Sequence, residues 1–284
     1  MSIVSIIGAS ELGGALAHKL AIRDRIDEIR LIDPTIGVAA GKTLDIQQAG
    51  PIEGFRTRLV SSTELSTVQG STVISLTGFA KPSATVVQDQ RTRSLLKQLI
   101  DFEKDAVMVC AGASDRQAIE TGLREIKIPR TKLIGSAPSA LTSAVRSMIA
   151  VEVGKSPSDV SVGVLGMPPA NTVILWSEAT IAGQKLMQVM EPKTLARLKA
   201  QAARLWPPGP FSLASAASRI CEAVATGGSD RAYPCFIGLD GEMGARDVVT
   251  TITVLLHRWG VNQIVIPSLS AYENVQHQNA LEAG

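Results

Sequence analysis

A tight turn, Gly8-Ala9-Ser10-Glu11-Leu12-Gly13, joins the apolar run Ile3–Ile7 to a helical pattern from Ala15 to Ile22. Strand, glycine loop and helix in that order make a cradle for a phosphorylated nucleotide. The glycines permit the turn, and the helix start offers N–H groups and a positive dipole end to a diphosphate. A second apolar strand, Glu28–Ile32, ends at Asp33. It lies about 20 residues beyond the loop, where a carboxylate accepts hydrogen bonds from an adenosine ribose. Together these features favour NAD over NADP. Ser10 stands at the middle glycine of the G-x-G-x-x-G pattern, the position that lets the backbone approach the diphosphate. Gly8, Ser10, Glu11, Leu12, Gly13 and Asp33 are therefore the candidate cofactor residues.

Groups able to move a proton are few. His18 follows the loop on a helix, His257 sits in an apolar strand pattern and His277 belongs to the last helix. None lies in a loop between strands, so each reads as a packing or surface residue. Cys110, Cys221 and Cys235 are widely spaced and odd in number, which argues against a disulfide framework or a zinc site and for buried thiols.

The surrounding elements alternate. Ser71–Leu76 and Ala106–Val109 read as fully buried strands, with helices near Gly37–Gln48 and Val86–Phe102, so the first half is a doubly wound parallel sheet. Helices follow at Pro192–Leu205 and Phe211–Ala225, strands at Arg231–Phe236, Val248–Leu256 and Val261–Ile266, and a terminal helix beginning at Ser268. Trp206-Pro207-Pro208-Gly209-Pro210 breaks the chain between the two helices. The expected division is residues 1–137 as a dinucleotide-binding unit and 138–284 as an α+β unit.

At 284 residues, 45% hydrophobic and 19% charged, with a net charge of +2, the composition fits an ordinary globular chain. Its scattered basic residues favour a small-molecule ligand over nucleic acid or a membrane surface. No apolar stretch reaches the roughly 18 residues of a membrane span, and Met1-Ser2 opens directly onto a strand without a leader pattern; a cytoplasmic location is expected.

Several segments resemble the lactate/malate dehydrogenase family, and the resemblance runs over nearly the whole chain. Gly41-Lys42-Thr43-Leu44-Asp45-Ile46 resembles the family's G-K-A-L-D-L helix. Asp240-Gly241-Glu242-Met243-Gly244 resembles its L-x-G-E-Y-G turn, and Thr77-Gly78 stands before the position of its mobile loop. The run from Lys132 to Gly166 matches the family's R-V-I-G…L-D-S-A-R-F-R segment and the following V-L-G without a gap. The resemblance implies a Rossmann fold with a second α+β domain, NAD as cofactor with Thr77 and Gly78 beside it, and a homodimer or dimer of dimers packed through the Gly41 helix.

It also implies that the family's chemistry is missing. In this register the catalytic His becomes Pro168, the Asp that orients it becomes Leu141, and the Arg that grips a substrate carboxylate becomes Ala144; Arg146 alone survives. Proline neither carries a proton nor donates a backbone hydrogen bond. The mobile-loop arginines fall on Ala80 to Val86, and the Asn that bonds the reacting carbonyl falls on Gly112. The polar groups left around the inferred pocket are Lys81, Ser136, Ser139, Asn171 and Ser215. Two readings follow. One is an NAD-dependent oxidoreductase with a more apolar pocket, lined by Leu141, Ala144, Val86, Met167, Pro168 and Pro169. The other is a non-catalytic NAD-binding sensor, regulatory subunit or partner.

Overall fold

The computed structural model describes residues 1–35, 37–78 and 88–283. Lys81 and Val86 lie outside that range. The first half places strands β1 (Ile3–Ile7), β2 (Glu28–Ile32), β3 (Arg58–Ser62), β4 (Val73–Leu76), β5 (Val107–Cys110) and β6 (Leu133–Gly135) between helices α1 (Glu11–Arg23), α2 (Val38–Glu53), α3 (Gln88–Phe102) and α4 (Arg116–Thr121). The strands pair in parallel in the order β3-β2-β1-β4-β5-β6. Every residue of β1, β4 and β5 is buried, as continuous apolar strands covered by helices on both faces must be. The direction of travel reverses between β1 and β4, which opens a crevice at the carboxyl ends of those strands, where α/β sheets take their ligands.

The second half runs α5 (Ala137–Val153), β7 (Val160–Ser161), β8 (Val164–Met167), β9 (Asn171–Ile174), β10 (Thr180–Ile181), β11 (Gln184–Lys185), α6 (Leu186–Val189), α7 (Pro192–Ala202) and α8 (Pro210–Ala225). Long strands β12 (Gly228–Asp240) and β13 (Arg246–His257), then β14 (Gly260–Val265) and α9 (Ala271–Glu282), complete it. β12 joins the parallel sheet through Phe236 opposite Gly135, and antiparallel pairing continues through β13, β8 and β9. One sheet thus crosses residue 137, where strand direction changes but packing does not stop. Gly135 is required at that junction: a Cβ there would lie 2.8 Å from Phe236.

Two apolar cores result. The larger spans both halves, from Val4 through Cys110 to Phe236 and Leu281. The smaller belongs to the second half alone and holds Leu141, Val145, Ile149, Val164 and Trp176 against Leu195 and Leu198. Helix α7 meets it as its pattern predicts, burying Leu195, Leu198 and Ala202 and leaving Arg197 and Lys199 outside.

The sequence reading differs from the structure in several local ways: α4, β10 and β11 were not expected, and α2 and β12 extend beyond their expected bounds. Strand β3 was not anticipated, because Arg-Leu-Val-Ser-Ser carries only two apolar residues. Helix α1 starts at Glu11, four residues before its apolar periodicity, because Ser10 caps it. The last helix is capped by Ser270, not Ser268, in a capping box with Glu273. His257 ends β13 exposed, beyond the buried part of that strand.

Candidate functional site

The glycine loop closes β1 onto α1 with little freedom. Gly8 has a φ of +105°, which favours glycine, and a Cβ on Gly13 would lie 1.9 Å from the Gly8 carbonyl oxygen. Ser10 Oγ accepts from the Gly13 N–H at 3.3 Å and donates to the Thr77 carbonyl at 2.9 Å. Thr77 Oγ1 donates in turn to the Gly8 carbonyl at 2.8 Å. Loops after two neighbouring strands are thereby tied into one unit, with Gly78 exposed beside it at a φ of +82°. Ser10 caps the helix in place of the absent glycine.

Asp33 reaches the same unit from β2. Its Oδ2 accepts from the Ala9 N–H and its Oδ1 from the Thr35 N–H, both at 2.8 Å, and the residue is fully buried. The carboxylate expected to meet a ribose therefore braces the loop in this structure. Glu11 and Leu12 are the first residues of α1, and the N–H groups of a helix's first turn have no partner within it. Lys42, from α2, donates to the Ser10 carbonyl at 2.8 Å and would meet a Cβ on Gly14 at 3.0 Å. An ammonium thus stands over the helix start. Free N–H groups, a closed turn with no intruding Cβ and an added cation form a donor set that fits a dinucleotide diphosphate. The sequence motif held Lys42, but its contact depends on how α1 and α2 pack.

The other side of the crevice is built differently. Ser136 is buried, and its Oγ and N–H both donate to the Cys110 carbonyl. Ser139 Oγ donates to the Pro234 carbonyl at 2.7 Å. Leu141 is 1% exposed in the smaller core, Ala144 is half-buried on the same helix, and Pro168 is buried at the end of β8. Asn171 and Ser215 are half-buried on β9 and α8. Of the described residues inferred to line the pocket, Leu141 and Pro169 line the large cavity of the second half, about 470 Å³ in volume.

Asp115 is a group the sequence reading passed over. It precedes α4 and looks like a helix cap, yet its carboxylate does not cap the helix. Its Oδ2 instead accepts from the Gly112 N–H at 2.7 Å, at the carboxyl end of β5. Burial raises its pKa from 3.8 to about 6, against the lowering effect of that hydrogen bond. Beside it, the Arg116 guanidinium bonds Glu120 at 2.6 Å and Met167 Sδ at 3.2 Å, bridging α4 to the residue before Pro168. A carboxyl with a pKa near 6 therefore adjoins the residue that bridges α4 to Met167. A clue was available in sequence: an Asp just past the carboxyl end of a buried strand.

The three thiols are buried and unpaired, and burial pushes each pKa up, Cys221 to about 12. They remain protonated and unreactive. His277 is fully buried with neither ring nitrogen bonded among the described residues, and burial lowers its pKa.

No family model matches the chain, but individual relatives match it along its length. A malate dehydrogenase of Dehalococcoides mccartyi is 24% identical, covering 99% of this chain and 96% of its own. That of Thioalkalivibrio sulfidiphilus is 27% identical with the same coverage. The chain is thus similar to malate dehydrogenases along nearly its whole length. Solved structures carry the same fold. The malate dehydrogenase of Aeropyrum pernix superposes with a TM-score of 0.88 at 21% identity, covering 99% of this chain and 95% of that one. The Cryptosporidium parvum lactate dehydrogenase, solved with lactic acid and nicotinamide adenine dinucleotide, gives 0.91 at 19% with the same coverage. Within the crevice itself, the β1–α1 side presents the glycine turn, and Leu141, Ala144 and Pro168 on the other side are apolar.

Proposed function

We propose that this protein binds NAD(H) at the Gly8–Gly13 turn and acts as an oxidoreductase on a substrate other than malate or lactate. The observation that carries the reading is the pairing of an intact, cation-topped glycine turn with Leu141, Ala144 and Pro168 at the substrate-side positions. NAD(H) would supply hydride exchange. The chain's own part is to hold the diphosphate on the α1 N–H groups, with Lys42 beside them and Gly78 at the edge of the turn. Asp115 supports a catalytic reading because it lies next to the Gly112 loop and burial brings its pKa up to about 6, towards the pH range in which general acid–base catalysis is effective. With Pro168 and Ala144 at the positions where the family resemblance puts a His and an Arg, the site offers a two-hydroxy acid no imidazole proton carrier and no bidentate carboxylate grip there. Removing the proton carrier alone typically costs about 10²- to 10⁴-fold in rate.

The second reading, a non-catalytic NAD-binding sensor or partner, draws support from Ser136 and Ser139, whose hydroxyls are both engaged in structural hydrogen bonds. In either case the protein works as a homodimer or dimer of dimers in the cytoplasm, with residues 1–137 and 138–284 as its cofactor and substrate units. The α2 face supports the dimer: Ala40 and Gly41 are exposed, a Cβ on Gly41 would meet nothing within 4 Å, and Leu44 is 55% exposed beside them.

Titrating the purified protein with NADH and following nicotinamide fluorescence tests the proposal. Micromolar binding with an emission change is expected, with no turnover of malate, lactate, oxaloacetate or pyruvate. Absence of NADH binding would overturn both readings; turnover of malate at ordinary rates would overturn the assignment of Leu141, Ala144 and Pro168.

A further inference from the structure

The 470 Å³ cavity lies between β9, α7 and α9 and falls within the size range of small-molecule sites. None of the glycine loop, Asp33, Thr77 or Gly112 lines it, so it is separate from the dinucleotide cradle. The chain has only three tryptophans and two tyrosines, yet Trp176, Trp206 and Tyr272 all line this one cavity. Trp206 is fixed edge-on against Phe236 at 6.1 Å, and Leu141 and Ile174 extend the apolar wall. Such a surface receives a flat ring better than an extended polar chain.

Charge at the cavity is one-sided. Glu273 lines it, but its carboxylate takes hydrogen bonds from the N–H and hydroxyl of both Ser177 and Ser270. Burial alone would raise its pKa, and these bonds hold it below the ordinary value. Its charge is committed to joining α9 to the strand region. Lys199, on the exposed side of α7, also lines the cavity and makes no ion pair among the described residues.

We propose that this cavity binds an aromatic monoanion, such as an aromatic carboxylate, with its ring on Trp176 and Trp206 and its charge at Lys199. The site does not depend on NAD(H), and a ligand here occupies the second half alone. Two of the three tryptophans report on it directly; Trp259 is 53% exposed and covered by Arg258 at 4.5 Å.

The test is titration of the full chain with 4-phenylbutyrate and, separately, 4-phenylbutylamine, read by tryptophan fluorescence and calorimetry. Saturable binding of the acid with a change in tryptophan emission is expected, at an affinity at least about threefold to tenfold above that of the amine. Lys199→Gln should remove that preference. Ala203→Trp, at an exposed position on the cavity wall, should abolish binding of the acid by filling the space. Both variants should bind NADH as the unmodified chain does, so this proposal and the cofactor reading fail separately. No saturable binding of the acid, equal affinity for acid and amine, or undiminished binding in Ala203→Trp would each overturn it.

Discussion

The two sides of the crevice are built from different materials. On the β1–α1 side the features that fit a ligand are backbone ones: the φ of Gly8, the missing Cβ of Gly13 and the N–H groups of Glu11 and Leu12. On the α5–β8 side a family site would consist of side chains, and the side chains are Leu141, Ala144 and Pro168. A site made of backbone survives most substitutions around it, and even Ser10 is absorbed as a helix cap. A site made of side chains is erased by a few substitutions while the strands and helices that carried it stay in place. A fold can therefore persist at full length independently of any one side-chain site.

The largest effect should come from forcing the old chemistry onto the apolar side. Leu141→Asp puts a carboxylate into a position 1% exposed, in a core with Val145 and Trp176. The lost packing and the buried charge together should cost about 3 kcal/mol or more. Thermal unfolding should therefore move down by roughly 6–10 °C. A variant of unchanged stability would show that the Leu141 site still tolerates the polar group, and the contrast between the two sides would be weaker than the structure implies.

Gly13→Ala attacks the backbone-built side. The new Cβ would lie 1.9 Å from the Gly8 carbonyl and 2.8 Å from Thr77 Oγ1, so the turn must open. A stability loss of about 2 kcal/mol is expected from the strain. NADH affinity should drop at least about tenfold, because the helix N–H groups no longer converge. Wild-type NADH affinity in this variant would mean that the cofactor sits elsewhere.

How far the sequence revealed each side follows from the same difference. The glycine turn, the buried strands and Asp33 were legible because local spacing and periodicity encode them. Strand β3 was not, since three of its five residues are polar and its place is set by pairing with β2. The role of Asp33 was only half legible: its position is a matter of spacing, but its burial against Ala9 and Thr35 depends on the fold. Lys42 over Ser10 and the cavity among β9, α7 and α9 bring together residues 32 and about 100 positions apart, which no local pattern encodes. Asp115 was hidden for another reason: an Asp before a helix has an ordinary explanation as a cap, and only the structure shows that its carboxylate turns back to Gly112.

Asp115 also gives the smallest and most discriminating test, because its pKa is shifted opposite to the usual direction for a hydrogen-bonded carboxylate. With 3.8 as its ordinary value and about 6 in the fold, the native state binds more protons than the unfolded state between those limits. Stability contributed by this group is therefore present at about pH 4 and is lost as the pH rises through about 6. Asn cannot ionise and can still accept from the Gly112 N–H. Asp115→Asn should thus match the unmodified protein at pH 4 and exceed it at pH 7.5, by about 1–3 kcal/mol, since each pKa unit corresponds to about 1.4 kcal/mol. Urea unfolding at the two pH values measures this. A difference that does not depend on pH would show that Asp115 is an ordinary ionised aspartate, and the crevice would then lose its only candidate proton carrier among the groups described on the Gly112 side.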